Sequence, residues 1–329
     1  MQAIVLVGGE GTRLRPLTTT IPKPALTLVD RPFLAYMVEW LGSHGVTEVV
    51  LACGFLPDQL REALGDEDWA GVRLSYITEP EPRGTAGAFR FAADSLGDRL
   101  ESRFLALNGD VLTDLDLTAL LRSHQERDAR ASLALYPVED SSVYGLVHCE
   151  EDGAVRAFLE KTGEQSPGEI NAGAYVLERS VLDLIPAGRE VSIEREVFPR
   201  LVGAGLHGLA LDGYWMDIGT PDRYLQASWD ILEGRVQTAV RPTAPGLLIG
   251  AGVEIDAGAT VGPRAVLAPG CSVAAGAQVL DSVLLDGCTV GEGARISGSI
   301  LAPGVSVSAG ATLEDAVIGE DERVLAQSQ

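Results

Sequence analysis

The sequence predicts a doubly wound, Rossmann-like α/β domain over residues 1–234. A linker over 235–246 and a left-handed parallel β-helix of hexapeptide repeats over 247–329 follow it. Three observations carry this reading. Short apolar runs alternate with helical patterns through the first two thirds of the chain. A glycine-rich turn directly follows the first of these runs, as at the carboxyl end of a buried parallel strand. From Ile249 onward an aliphatic residue returns every six positions.

In chain order, the apolar runs at 3–7, 48–52, 73–78, 103–107, 132–136 and 172–177 read as strands. Helical spacing fills 32–45 and 58–64 between the early ones. In sheets of this kind ligands gather at the carboxyl ends of the strands. Three polar clusters stand at those ends: Gly8 to Arg13, Glu79 to Gly87, and Asn108-Gly109-Asp110. Thr220-Pro221-Asp222 marks a helix start, with Thr as the cap and Pro at the first helical position.

The first cluster, Gly8-Gly9-Glu10-Gly11-Thr12-Arg13-Leu14-Arg15, places three glycines in four positions. Such a backbone turns tightly and can bring its N–H groups against an anion. Arg13, Arg15 and, after Pro22, Lys23 add positive charge beside it. The string is not a P-loop, which requires Gly-Lys-Ser/Thr at its end. Leu14 stands where the dinucleotide fingerprint requires glycine.

The chain is 329 residues long with a formal net charge of −22, which argues against nucleic acid or an anionic membrane surface as a partner. The first apolar run stops at Gly8 with no basic segment before it, so no signal peptide is expected. No stretch approaches the ~18 apolar residues of a membrane span. The four cysteines, Cys53, Cys149, Cys271 and Cys288, are far apart, so buried free thiols in a reducing cytoplasm are expected.

Past the linker prolines Pro242 and Pro245, the aliphatic positions are Ile249, Ile255, Val261, Leu267, Val273 and Val279. The spacing then becomes five, six, six: Leu284, Val290, Ile296, then Leu301, Val307, Leu313, then Ile318 and Val324. Each aliphatic residue is expected to point into a stacked core of roughly four to five triangular coils.

The string Gly8 to Thr18 with Pro22-Lys23-Pro24 is followed by Glu79-Pro-Glu-Pro-Arg-Gly-Thr-Ala-Gly87, Asn108-Gly109-Asp110 and Phe158-Leu159-Glu160-Lys161. Then come Asn171-Ala172-Gly173, Tyr214-Trp-Met-Asp-Ile-Gly-Thr-Pro221 and the repeats. In this order the motifs resemble the sugar-1-phosphate nucleotidylyltransferases, and within them the mannose-1-phosphate guanylyltransferases. The resemblance covers nearly the whole chain. It implies joining of a nucleoside triphosphate to a sugar 1-phosphate with Mg²⁺, giving a nucleotide-sugar and pyrophosphate.

The residues suit that chemistry. A sugar phosphate is largely dianionic near neutral pH, so its attacking oxygen needs no general base. The obstacle is bringing one anion against another, and positioning plus positive charge overcomes it. Nucleotide contacts are expected from Leu6, Gly8, Gly9, Gly11, Thr12, Arg13, Glu79, Gly84, Thr85, Asn108 and Gly109. Arg13 is expected to clamp the leaving pyrophosphate, and Lys23 to bridge the α-phosphate and the sugar phosphate. The resemblance places Mg²⁺ ligands at Asp110 and Asp217. It places Glu160 on sugar hydroxyls, Lys161 on the sugar phosphate, and Tyr144, Gly145, Asn171 and Gly173 in the sugar pocket.

The base is expected to be guanine. Relatives that read thymine carry Gln where Glu79 stands, and an amide both donates and accepts. A carboxylate only accepts, which matches the adjacent N1–H and N2–H₂ donors of guanine. Glu79, or the backbone through Gly84 and Thr85, is therefore expected to read it.

Alternatives are another sugar or cyclitol 1-phosphate, TTP or UTP as donor, or a non-catalytic regulatory homologue. Arg13, Lys23, Asp110 and Asp217 are all present, which disfavours the last. An acyltransferase role for the repeats is disfavoured because His44, His124, His148 and His207 all precede them. The β-helix is expected to serve assembly of a homo-oligomer, dimer or tetramer.

Overall fold

The computed structural model describes residues 1–160, 163 and 165–326. The chain forms two compact units: Met1–Gly9 with Met37–Trp215, and Glu10–Tyr36 with the chain from Met216 onward.

The first unit is built on a sheet of ten strands among the described residues. Gln2–Leu6 pairs in parallel with Glu48–Cys53 on one side and Arg103–Asn108 on the other, and Val72–Thr78 extends the parallel set. Successive strand side chains point to opposite faces, and Ala3, Ile4 and Val5 are all fully buried. Both faces of the central strands are therefore covered, which is why these segments are uniformly apolar.

The expected strands at 132–136 and 172–177 are present as Ala131–Val138 and Gly168–Glu178. They do not continue the parallel winding. Gly168–Glu178 runs antiparallel to both Arg103–Asn108 and Ala131–Val138, and its register shifts between Asn171 and Tyr175. Two half-buried strands unmarked by the sequence pattern, Gly145–Cys149 and Val155–Glu160, pair antiparallel beside it. The sheet is thus mixed, with a parallel centre and an antiparallel wing. The helices Phe33–Ser43 and Pro57–Leu64 lie where the spacing predicts them.

In the second unit, the helix Pro221–Leu232 starts as expected: Thr220 accepts a hydrogen bond from the Arg223 N–H, and Pro221 stands at the first position. The repeats form three parallel sheets of five, five and four strands among the described residues, the arrangement of a left-handed β-helix. Thr289 and Ser306, in successive coils, are 17 residues apart. The first coil is one residue longer, since Leu247 pairs with Ala265 and Ala265 with Ser282.

The five-residue steps have a structural cause. Asp281, Gly298 and Asp315 occupy the same corner of successive coils with φ of 48°, 59° and 48°. Asp and Gly are the residues that tolerate this left-handed conformation. Beside that corner, the buried Ser282 and Ser299 hydroxyls each accept from the next coil's backbone, at Ser299 N and Ala316 N, both 3.1 Å.

The segment Glu10–Tyr36, contiguous in sequence with the first strand, belongs to this second unit. The Tyr224 hydroxyl donates to the Thr27 carbonyl, and the Thr20 hydroxyl donates to Glu320 at 3.1 Å. Among the described residues no helix is long and apolar enough to cross a membrane. The four cysteines are free, Cys149 half-buried and the others buried. Burial pushes the Cys53 thiol up to about 12 and the Cys149 thiol up to about 11.

Candidate active site

In the first unit, Leu6 and Asn108 end neighbouring parallel strands in register, and the Gly109 N–H donates to the Leu6 carbonyl at 2.9 Å. A Cβ at Gly109 would lie 2.6 Å from that carbonyl oxygen and 2.8 Å from Val7 Cγ1. Only glycine lets the turn carrying Asp110 lie this close to the end of the first strand. Gly8 and Gly9 are exposed beyond that strand. A Cβ at Gly8 would lie 3.3 Å from the Gly54 amide nitrogen, so the turn runs against a second glycine backbone. Asp110 is half-buried.

Asn108, Asn171 and Gly173 come together. A Cβ on Gly173, which has φ of 76°, would lie 3.1 Å from Asn108 Nδ2. Asn171 Oδ1 accepts from the Gly173 N–H at 3.0 Å, and its amide donates to Tyr175 at 2.9 Å. The register shift in this strand re-aims these side chains, as bulges do next to sites. The Asn108 carbonyl oxygen Oδ1 is buried with no hydrogen-bond partner among the described residues.

An aromatic group that the sequence left unassigned joins this cluster. Trp215 donates its indole N–H to the Ala172 carbonyl at 2.8 Å. Tyr144 meets the Trp215 ring edge-on at 5.3 Å, and Tyr136 stacks on it at 5.7 Å. Tyr144, Gly145 and Asn171–Gly173 thus converge through Trp215 on one end of the antiparallel wing. The sequence signal was the Tyr214-Trp215 pair before Asp217, quoted as a motif without a role. Glu160 ends the strand Val155–Glu160, opposite Gly145 in register. Nothing further is described of its side chain, and Lys161 lies outside the described residues.

Glu79 follows the strand Val72–Thr78, its backbone N–H bonded to the Cys53 carbonyl at 2.8 Å. Burial pushes its carboxyl up, against a backbone hydrogen bond and the charge of Arg83. The guanidinium of Arg83 instead lies over the Phe91 ring at 4.7 Å, and no ion pair joins it to Glu79 among the described residues. Gly84 and Thr85 begin the helix Gly84–Leu96 rather than forming a loop. Thr85 is engaged locally: its hydroxyl donates to Glu194 and accepts from the Ile193 N–H, both at 2.8 Å.

In the second unit, Gly11 takes φ of 61°, and a Cβ there would lie 3.1 Å from Lys23 Cβ. Its carbonyl accepts from the Thr18 hydroxyl at 2.8 Å, which pins the turn. Thr12–Leu14 then form one 3₁₀ turn that buries Leu14 and leaves Thr12 and Arg13 exposed. Pro22 and Pro24 flank Lys23, which opens a second 3₁₀ turn, Lys23–Ala25, and is buried. Its ammonium lies 5.8 Å from the centre of the Phe33 ring and 3.8 Å from Asp217 Oδ1.

Asp217 holds a second cation, Arg223, whose Nη1 is 3.4 Å from Oδ2 and 3.3 Å from the Asp217 carbonyl. Asp217 Oδ1 itself is buried and accepts no hydrogen bond among the described residues. A buried carboxylate oxygen without a donor is costly unless a cation occupies its front. Lys23, Asp217 and Arg223 therefore form a charged cluster suited to phosphate and metal. Arg223 was missed in the sequence because it stands two residues past the end of the motif at Pro221, in the first turn of the helix.

The chain matches the family described as Nucleotidyl transferase over residues 2–234 and the GMPPB C-terminal domain over residues 243–328. It is 39% identical over 283 residues to a mannose-1-phosphate guanylyltransferase of Mycobacterium tuberculosis, covering 85% of this chain and 76% of that protein. It is 37% identical over 288 residues to mannose-1-phosphate guanylyltransferase 1 of Arabidopsis thaliana, covering 87% of this chain and 80% of that protein. The crystal structure of HddC from Yersinia pseudotuberculosis complexed with GMP-PN is similar with a TM-score of 0.61 at 28% identity. That match spans 70% of this chain and 99% of the other.

Proposed function

The chain belongs to the nucleotidyl transferase family, and from that premise we propose that it transfers GMP from GTP to α-D-mannose 1-phosphate, releasing pyrophosphate. The relatives named above support the nucleotide and the sugar. The observation that carries the chemistry is the buried Lys23 ammonium 3.8 Å from an Asp217 oxygen that accepts no hydrogen bond among the described residues.

An oxygen of the sugar phosphate attacks the α-phosphorus of GTP; one P–O bond forms, the bond to the bridging α,β-oxygen breaks, and pyrophosphate leaves with its electron pair. No proton must be removed from the nucleophile. Lys23, set in its own 3₁₀ turn and paired with Asp217, bridges α-phosphate and sugar phosphate as a compact point charge. Arg13 grips the β- and γ-oxygens as they become the leaving group. The glycine backbone at 8, 9 and 11, with Thr12, lines the nucleotide, and Leu6, Asn108 and Gly109 form the strand-end floor beside it. Glu79 accepts from guanine N1–H and N2–H₂, with Gly84 and Thr85 shaping the backbone next to it. Tyr144, Gly145, Asn171 and Gly173 are assigned to the sugar pocket, and by family resemblance Glu160 to the sugar hydroxyls and Lys161 to the sugar phosphate.

Divalent metal chemistry belongs to this family, and we assign Mg²⁺ to Asp110 and Asp217. Mg²⁺ takes one or two carboxylates and fills its shell with water and substrate phosphate. Among the described residues no group of three or more His, Cys, Asp or Glu converges on a metal. When bound, the ion neutralises charge on the phosphates.

The spans matched by the two families support a linker within 235–246. Four free thiols, three of them buried, support a reducing cytoplasm. We also propose self-association through the β-helix, whose stacked coils leave open strand edges; a single-chain mass by light scattering at micromolar concentration would contradict it. The decisive assay is a matrix of nucleoside triphosphates against sugar 1-phosphates with pyrophosphate detection. GTP with mannose 1-phosphate is expected to give the highest kcat/KM. Preference for TTP or UTP, or for another sugar, overturns the assignment.

A further inference from the structure

Gly219 is buried between Asp217 and the cap residue Thr220. Its φ is not in the left-handed region, so its backbone alone does not require glycine. What requires it is a neighbour. A Cβ at Gly219 would lie 2.5 Å from Arg13 Nη2, 2.9 Å from Cζ and 3.2 Å from Nη1. Three atoms of one planar guanidinium thus occupy the space a side chain would take. Arg13 has no carboxylate partner within ion-pair distance among the described residues to set its position otherwise. Its own turn, Thr12–Leu14, fixes only the start of a long side chain.

We propose that Gly219 is the positioning residue for Arg13: its missing side chain leaves the space that the guanidinium occupies. This inference rests on the proposed function, in which Arg13 grips the departing pyrophosphate. It also explains why the Asp217 motif and the glycine-loop arginine belong together in one chain. The carboxylate and the guanidinium seat are two residues apart on one strand-to-helix turn, so one backbone segment orients both.

The steric conflict falls on a movable group. A methyl at Gly219 meets the far end of a flexible side chain, not backbone, so the fold accommodates Gly219→Ala by displacing Arg13. Stability and activity should therefore separate. In Gly219→Ala the thermal midpoint stays within about 2 °C of the parent. In the reverse reaction, from GDP-mannose and pyrophosphate, kcat/KM for pyrophosphate falls about 10- to 100-fold, the scale of a misplaced contact group. The KM for GDP-mannose stays near the parent value, because Arg13 does not hold that end.

The test is a cycle with Arg13→Lys, which keeps the charge on a linear stem that does not lie across the Gly219 face. If Gly219 acts through the guanidinium, adding Gly219→Ala to Arg13→Lys costs less than about threefold, a non-additive result for residues in contact. An equal loss in both backgrounds, an unchanged pyrophosphate KM in Gly219→Ala, or a collapse of its midpoint overturns the inference while leaving the proposed reaction standing. A parent enzyme with no turnover in either direction overturns the proposed reaction, and the inference falls with it.

Discussion

Replacing Lys23 with methionine removes the ammonium and keeps most of the apolar stem. Its 3.8 Å separation from Asp217 Oδ1 corresponds to a gross attraction of about 4 kcal/mol at an effective dielectric of about 20. Desolvation of two largely buried groups offsets most of that. Asp217 also keeps Arg223 at 3.4 Å from its other oxygen, so the carboxylate is not left without a cation. The net stability loss should be about 1–2 kcal/mol, read as a shift in the urea midpoint. The catalytic loss should be larger, because charge develops between the two phosphates only as they approach. Removing one such preorganised contact costs about 10²–10³ in kcat, or 2.7–4 kcal/mol. Steady-state pyrophosphate release should therefore show kcat down by that factor with both KM values within about threefold. A kcat within about threefold of the parent would refute the assignment of Lys23 to the phosphates. A loss confined to KM would place it on ground-state binding alone.

Three further outcomes follow from particular residues. Glu79→Gln replaces an acceptor-only group by one that also donates, so the preference for GTP over TTP or UTP should narrow by about tenfold, one unpaired contact; an unchanged preference removes Glu79 from the base. Gly109→Ala forces a methyl to 2.6 Å from the Leu6 carbonyl, where only backbone can yield, and should lower stability by about 1–3 kcal/mol in chemical denaturation; no loss would show that the turn relaxes freely. The third outcome concerns pH. Burial pushes the His124 imidazole below its ordinary 6.5. Against the raising effect of burial, hydrogen bonds from His124 and Arg103 hold Glu178 below 4.5. For both groups the unfolded chain binds more protons than the folded one, so stability rises with pH across their windows. It should fall as pH drops below 6.5 through the folded value of His124, and again below 4.5 through that of Glu178. His124→Gln should flatten the upper part of this limb, and an unaltered slope between pH 6.5 and 5 would assign it elsewhere.

The repeats were legible because a core that stacks one aliphatic residue per side leaves a strict period. The five-residue steps were visible as spacing alone; the structure traces them to the corner at Asp281, Gly298 and Asp315. The central strands were legible for a related reason: burial on both faces leaves no polar interruption from Ala3 to Val5. The strands Gly145–Cys149 and Val155–Glu160 escaped because they are short, half-buried and interrupted by His148 and Arg156. The helix beginning at Gly84 escaped because Arg83-Gly-Thr-Ala-Gly87 has the composition of a loop. Tertiary packing overrides that propensity: the Ala86 N–H bonds the Val191 carbonyl at 2.9 Å.

Motif residues were legible where chemistry demands a side-chain type, as at Lys23 and Asp217. The role of Gly219 was not, since it consists of missing atoms opposite a residue some two hundred positions away. Residues 1–234 read as one block in the sequence, and the nucleotidyl transferase family match spans 2–234; within that span Glu10–Tyr36 groups with the chain from Met216 onward. That grouping puts Arg13, Lys23, Asp217 and Gly219 in one compact unit, while Asp110, Glu79, Tyr144 and Asn171 belong to the other.

The most direct test of the central claim is product analysis of one incubation of the full chain with GTP, mannose 1-phosphate and Mg²⁺. Nucleotide-sugar and pyrophosphate should appear in equal amounts, and both should vanish when the metal is chelated and return when it is restored. Free GMP or GDP without nucleotide-sugar, or pyrophosphate in the absence of the sugar phosphate, would contradict transfer between these two substrates.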